Sequence, residues 1–445
     1  MKKSKKILIG FLITITSLII LPFFISMRTY LNEAERVASE KVGVPVTIQS
    51  GYLRLLPSPR LVMKDISLGQ HVELKVADVV VIPTLSSLFS STKVIDLEIG
   101  KPVIKKVALD FISTLSGNDA KLEREVVSVN IRHVRVDELQ LDWPDLKLPM
   151  LNIEANLTDA NALDNAKVET IDGEVVAHVT PESGGHLISL KAKKWTLPVE
   201  MSLLIEHADV EMHLKENRLD ISKLNIGLYG GDLKGNALLS WAKGWQASGQ
   251  LQVANVSVKE PSSLMSNKVY MSGSLSGDGH FSSKAKHAGE LAEYLHADFK
   301  FHVNKGVLHG LDLVKMASLL LKQDKDGGET EFDEFSGVLN VVGRQYHMKD
   351  IKISSGLLAA NGQVQVKPNK ALDGTIEVAL KHSVSLVAIP LDISGTVSDP
   401  VVSPSKAALA GAIAGTAILG PGVGTSLGVK AGGAIDKFKG LFQSK

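Results

Sequence analysis

The chain has 445 residues, 44% hydrophobic and 22% charged, a balance that excludes both a disordered chain and a bundle of membrane helices. Forty-nine basic residues stand against 48 acidic ones, and aromatics make up only 5%, which excludes the basic footprint and stacking platforms of a nucleic-acid binder. Cysteine is absent, and with it disulfides, thiolate metal sites and cysteine nucleophiles.

Four lysines (Lys2, Lys3, Lys5 and Lys6) precede an uncharged, mostly apolar run of 19 residues from Ile7 to Ile25. As a helix the run rises about 28 Å, against a bilayer core of about 30 Å. A cleaved signal peptide has a shorter apolar region and ends in a small-x-small site. Here Ser26-Met27-Arg28 follows instead. The reading is an uncleaved anchor over residues 1–27, with its lysines cytoplasmic and the bulk of the chain exported.

Tyr30 to Val42 then reads as a short amphipathic helix, with Leu31, Ala34, Val37 and Ala38 on one face and Gly43 as its stop. From there the hydrophobic period is two. Val44, Val46 and Ile48 alternate with polar residues or proline, as do Val72, Leu74 and Val76, then Ile95, Leu97 and Ile99. Leu151, Ile153, Ala155 and Leu157 repeat the pattern, followed by Val210, Met212 and Leu214, and by Phe299, Phe301 and Val303. Each run predicts a strand with one apolar and one wet face. Turns are read at Gly230-Gly231-Asp232, Ser276-Gly277-Asp278-Gly279, Asn361-Gly362 and Pro368-Asn369-Lys370. Only Ala288–Leu295 and Leu311–Lys322 look helical in the interior.

The predicted fold is mainly β: one N-terminal transmembrane helix, then a long antiparallel, groove- or sandwich-like β-sheet with a few short helices. Five segments follow: 1–27 (lysines and anchor), 28–110 (amphipathic helix, then β), 111–290 (middle antiparallel β), 291–403 (C-terminal β) and 404–445. The last is an Ala/Gly-rich tail with a candidate short amphipathic helix. A one-sided sheet has to cover its apolar face, by packing on itself or by holding something apolar. The candidate positions for such a ligand are Leu74, Val76, Leu97, Ile153, Met212, Phe299, Phe301, Val303, Val341 and Val364.

No catalytic, cofactor or metal constellation emerges. Gly420–Ser426 lacks the lysine of a phosphate loop, and Gly277-Asp278-Gly279 lacks the strand-to-helix context of a dinucleotide site. Ser272-Gly273-Ser274 and Ser354-Ser355-Gly356 read as hairpin-like turns, not nucleophile elbows. His207, Asp209, Glu211 and His213 would share one strand face. A metal site there is geometrically conceivable, and the solvated face of an exposed strand accounts for the same spacing.

Two blocks go beyond pattern. The first comprises Gly43-Val44-Pro45-Val46-Thr47-Ile48, Leu55–Leu61, Asp65-Ile66-Ser67-Leu68-Gly69, Ala77–Leu88 and Ile99-Gly100-Lys101-Pro102. The second comprises Gly306–Leu313, Phe332–Gly337, Leu357–Gly362 and Ile389–Pro400. Behind a single span, these blocks resemble the AsmA family, while the middle, residues 110–290, matches only in style. The resemblance implies a single-pass inner (plasma) membrane protein of Gram-negative bacteria with a non-enzymatic periplasmic β-domain, no cofactor, and a part in outer-membrane biogenesis. The wider AsmA-like group, which includes TamB, implies phospholipid, or a lipopolysaccharide-related lipid, carried in a hydrophobic β-groove. The alternative is a periplasmic scaffold or regulator of outer-membrane protein assembly and targeting, with assembly proteins as partners.

Overall fold

The computed structural model describes residues 27–87, 90–105, 107–108, 128–143, 148–197, 203–318, 328–381 and 388–411. The predicted span (7–25) and most of the Ala/Gly-rich tail lie outside them. Among the described residues no helix is long and apolar enough to cross a membrane. The chain divides into two compact units, Met1–Leu203 and Leu204–Lys445.

The first unit opens with α1 (Met27–Val42), which stops at Gly43 in the left-handed conformation, φ +75°. Leu31, Met27, Ala34, Ala38 and Val42 pack against Val46, Ile48, Ile66 and Val76. Val37, expected on that face, is exposed, because six positions beyond Leu31 a helix has turned to about 120° away from it. Beneath α1 run three antiparallel strands, β1 (Val46–Arg54), β2 (Arg60–Leu68) and β3 (Leu74–Pro83). Val72 falls in the turn before β3 with φ +55° and is exposed, so it does not extend the Leu74–Val76 alternation.

Next come β4 (Thr92–Gly100) and β5 (Val103–Lys105), both paired with β3. Each also pairs in parallel with β6 (Ser128–Asp142), a departure from the purely antiparallel expectation. A parallel neighbour needs a crossover of about a dozen residues or more, and the stretch 106–127 supplies that length. Antiparallel order resumes with β7 (Leu151–Leu157), β8 (Leu163–Thr170), β9 (Val175–Glu182) and β10 (Gly185–Leu197).

Among the described residues β1 pairs only with β2, and α1 seals the start of its free edge. Val46 N–H donates to Ser39 Oγ (2.8 Å) and Ile48 N–H to Glu35 Oε1 (2.7 Å), while Arg28 Nη1 donates to Ile48 O (3.3 Å). An edge whose backbone groups are taken is a poor template for another strand.

The second unit is an antiparallel meander in which each strand pairs with the next. Its strands are β11 (Leu203–Lys215), β12 (Arg218–Leu228), β13 (Gly231–Ser240), β14 (Trp245–Ser257), β15 (Tyr270–Ala285) and β16 (His296–His309). They continue as β17 (Glu329–Val342), β18 (Gln345–Ser354), β19 (Leu358–Val366), β20 (Leu372–Leu380), β21 (Ala388–Thr396) and β22 (Asp399–Pro404). Two short helices interrupt it, α2 (Lys259–Met265) before β15 and α3 (Leu313–Ser318) before β17. Ala288–Leu295, read as helical, forms only a 3-10 turn over Ala288–Glu290. Gly289 weakens a helix there, and Leu291 O is taken by the Ser283 hydroxyl (2.7 Å).

The core of this unit lies near its C-terminal strands, where Leu313 of α3 is surrounded by fully buried Leu358, Val378, Leu391 and Ala408. The helix is pinned at its start. Lys315 N–H donates to Asp312 Oδ1 (2.8 Å), Leu313 N–H donates to Thr330 Oγ1 (2.8 Å), and that hydroxyl donates to Leu311 O (2.7 Å).

Two outcomes follow for the full chain. Leu391→Ala, which empties a fully buried site, lowers the unfolding free energy by about 2–5 kcal/mol in urea titrations. Lys352→Ala on the exposed face of β18 changes it by less than about 0.5 kcal/mol. The second concerns pH. At the β8–β9 turn, Thr170 Oγ1 donates to Asp172 Oδ1 (2.5 Å), as does Glu174 N–H (2.9 Å), and these bonds, Thr170 first, hold the carboxyl below its ordinary value. A depressed carboxyl stabilises above its ordinary pKa and loses that contribution as pH falls through its folded value. Asp172→Asn is therefore less stable than wild type at neutral pH, and the gap closes on acidification below about pH 4.

Candidate functional site: the apolar face of the sheet

The pleat sends alternate side chains of a strand to opposite faces. In β16, His296, Asp298, Lys300 and His302 are exposed, whereas Ala297, Phe299 and Phe301 are partly buried and Val303 is fully buried. In β14 the same division separates Gln246, Ser248, Gln250 and Gln252 from Ala247, Gly249, Leu251 and Val253. Partial burial is the informative feature of the apolar side. In the second unit the helices pack on β15, β17, β20 and β22. Among the described residues no helix packs extensively on β11–β14, and Met212, Leu239 and Leu251 keep partial exposure there.

Glycine shapes this surface. Gly249 stands opposite Phe281, Gly279 opposite Phe299, Gly337 opposite Phe301 and Gly306 opposite Phe332. A Cβ at Gly249 would lie 2.7 Å from the Phe281 ring, and one at Gly306 would lie 2.3 Å from that of Phe332. The rings occupy space over the backbone that only glycine leaves free. Phe301 and Phe332 both meet Phe335 edge to face, at 5.5 and 5.9 Å, which is a favourable aromatic geometry. Ser272-Gly273-Ser274, Ser276–Gly279 and Asn361-Gly362, expected as turns, lie inside β15 and β19, and Gly277 and Gly279 make room for the Phe299 ring.

The ten candidate positions divide between the units. Met212 (β11), Phe299 and Phe301 (β16) share partial burial on the apolar face, whereas Val303 and Val341 (β17) are buried at 1% and 8% exposure. Val364 (β19) lines a cavity of about 320 Å³, together with Met271, Leu308, Phe335, Met348 and Ile376. In the first unit, Leu74 and Val76 (β3) join the core beneath α1, and Leu97 (β4) and Ile153 (β7) are partly buried. Phe281 was not singled out from the sequence, and Phe332 and Phe335 entered only as part of the block Phe332–Gly337, not as candidate positions for a ligand. The signal for Phe281 and Phe332 is a glycine directly opposite on the neighbouring strand, which is invisible until the strands are paired.

Titratable groups gather on the opposite, wet face. Lys223 bridges to Asp209 (2.5 Å), which raises its pKa. His207 stands 3.9 Å from Asp232, and His213 3.8 Å from Glu211. Of the four residues that share this strand face, His213 meets Glu211 while His207 and Asp209 meet Asp232 and Lys223, and no group of three metal-ligating side chains converges among the described residues. A second cluster was not foreseen. Tyr270 stacks on His309 at 4.5 Å, His309 Nε2 is 3.1 Å from Ser272 Oγ, and Nδ1 is 2.8 Å from Glu329 Oε1. The order is that of a serine–histidine–carboxylate relay. Yet Tyr270, His309 and Glu329 are direct cross-strand neighbours, the Glu329 side chain is 61% exposed, and Ser272 Oγ also donates to Val307 O (3.5 Å). The cluster reads as a cross-strand polar ladder.

The glycine–aromatic pairs carry a test. Gly249→Ala overpacks the sheet and destabilises the chain by about 1–3 kcal/mol. In a Phe281→Ala background the cost falls without vanishing, since Asn236 O would lie 2.4 Å from the new Cβ; a double-mutant cycle in urea measures both parts.

Comparison with known proteins places this surface. Residues 182–343 match the model of the AsmA family, a segment that runs from the end of β9 through β17 and holds Met212, Phe299, Phe301, Val303 and Val341. The match thus falls largely on the middle that resembles the family only in style by eye, and leaves the block from Gly43 to Pro102 outside it. No curated protein and no solved structure matches the chain. The match covers 162 of the 445 residues, and over that segment the chain is similar to the AsmA family, which supports an AsmA-family assignment.

Proposed function

We propose that this chain is a non-enzymatic, inner-membrane-anchored periplasmic protein that carries phospholipid acyl chains on the apolar face of its β-sheet and so supports outer-membrane lipid homeostasis. The AsmA-family match over residues 182–343 supports a part in envelope biogenesis and lipid transport at the level of the family. The lysine-flanked apolar run from Ile7 to Ile25 supports the anchor and the orientation.

The observation that carries the lipid reading is the half-exposed apolar surface of β11–β17, floored by phenyl rings over glycines. Such a surface gains about 25 cal/mol for each Å² of apolar area removed from water. An acyl chain supplies that cover without a single hydrogen bond. Headgroups stay wet, which suits a face that places its charges on the other side of the sheet. The mechanism is passive: a chain lies on the surface and moves along it as neighbouring sites exchange it.

Photo-crosslinking in cells tests the reading. A photoreactive residue at Met212, Leu239 or Phe299 forms phospholipid adducts, and one at Gln250, Lys300 or Lys352 on the wet face forms none, as read by mass spectrometry of the purified chain. Adducts to envelope proteins at the apolar positions, with no lipid, would replace this reading by the scaffold alternative.

A further inference from the structure

The cavity of about 320 Å³ in the second unit differs from the open face. It lies among β15–β22, between the end of α2 and the β21–β22 turn. Four hydroxyl-bearing residues line it, Ser262, Ser266, Tyr270 and Thr330; the ring of Tyr270 stacks on His309, and the protein already uses the other three hydroxyls in both roles. Ser262 Oγ donates to Met271 O (2.7 Å) and accepts from Met271 N–H (3.0 Å). Ser266 Oγ donates to Ser398 O (3.2 Å) and accepts from Val269 N–H (3.1 Å). Thr330 Oγ1 is held between Leu311 O and Leu313 N–H. A ligand that entered with polar atoms would leave them desolvated and without partners. The cavity therefore suits hydrocarbon alone.

Its size limits how much. A cavity of about 150 Å³ holds benzene, so this one takes roughly a dozen carbon atoms. That is less than one whole acyl chain of a membrane phospholipid, and far less than two. The rim changes character. Met265, at the end of α2, is 55% exposed. Beside it Lys268 Nζ meets Asp399 at 2.9 Å with both side chains about two-thirds exposed. Apolar walls with a charged, solvated rim match an amphiphile whose tail points inward.

We propose that this cavity seats the terminal carbons of one acyl chain of a phospholipid, with the headgroup held outside near Lys268 and Asp399. The proposal rests on the lipid reading above and adds to it a fixed, tail-first end site distinct from the open face. An open face contacts all carbons of a chain alike, whereas a cavity of this volume takes only the last ones.

The test uses the full chain in phosphatidylcholine nanodiscs doped with phosphatidylcholine that carries a diazirine either near the headgroup or at the terminal carbon. The terminal probe labels peptides containing Phe335, Met348 or Ile376, and the shallow probe labels the rim around Met265. Val364→Phe, or Met348→Phe as a second filling variant with unchanged melting temperature, lowers the deep label by roughly tenfold and leaves labelling at Phe299 intact. Equal labelling of the cavity by both probes, or deep labelling indifferent to both filling variants, overturns the end site. Retained labelling of Met212 and Phe299 in that case leaves the lipid reading standing. Loss of all labelling at those open positions as well overturns both.

Discussion

The pleat of the strand is the constraint on which the rest depends. Every strand of this chain that alternates apolar and polar residues makes one face that water disfavours, and each further strand widens it. The chain answers in two ways. Over β1–β3 the face is covered by α1, whose Leu31 sits at 4% exposure against Val46, Ile48 and Ile66. At the C-terminal strands it is covered by α3, beside which Leu358, Val378 and Leu391 are completely buried. On β11–β14 no helix supplies a comparable cover among the described residues. Monomeric proteins seldom leave wide apolar surface without a use for it.

Much of this was legible in the sequence because period two is a strong signal when one face is wet. Val46 and Ile48 are buried between exposed Thr47 and Gln49, and Phe299 and Phe301 stand between exposed Asp298, Lys300 and His302. The helix before β1 and its stop at Gly43 were legible for the same reason, in period 3.6 with a left-handed glycine. What failed were signals that depend on a partner strand. Gly277 and Gly279 look like a turn in one dimension and are spaces for the ring of Phe299 in three. The parallel pairing of β4 with β6 depends on a connection whose length, not its composition, permits it. Helix α2 is seven residues with Pro261 in its first turn, too short to show a period. It is held by the Ser262 hydroxyl on the backbone of Met271, a contact no local pattern reveals.

The functional face was legible as a class and not as a place. Ten apolar positions chosen by alternation alone divide into those the protein has already buried, such as Val76 and Val303, and those it leaves partly open, such as Met212 and Phe299. Alternation says which way a side chain points. Only the neighbours decide whether something else is already there.

The extent of the family match follows the same division. Where a helix seals the apolar face, each side chain must fit particular neighbours, and short runs such as Gly43–Ile48 or Ile389–Pro400 become distinctive. Where the face stays partly open, from β11 to β17, a strand needs only alternation, space for its rings and a wet outer side. Such requirements leave few fixed residues but a steady profile over many strands. The AsmA-family match over residues 182–343 covers these strands. A surface specified by profile rather than by residues also suits its proposed cargo, since an acyl chain offers no group to be recognised and asks only for continuity.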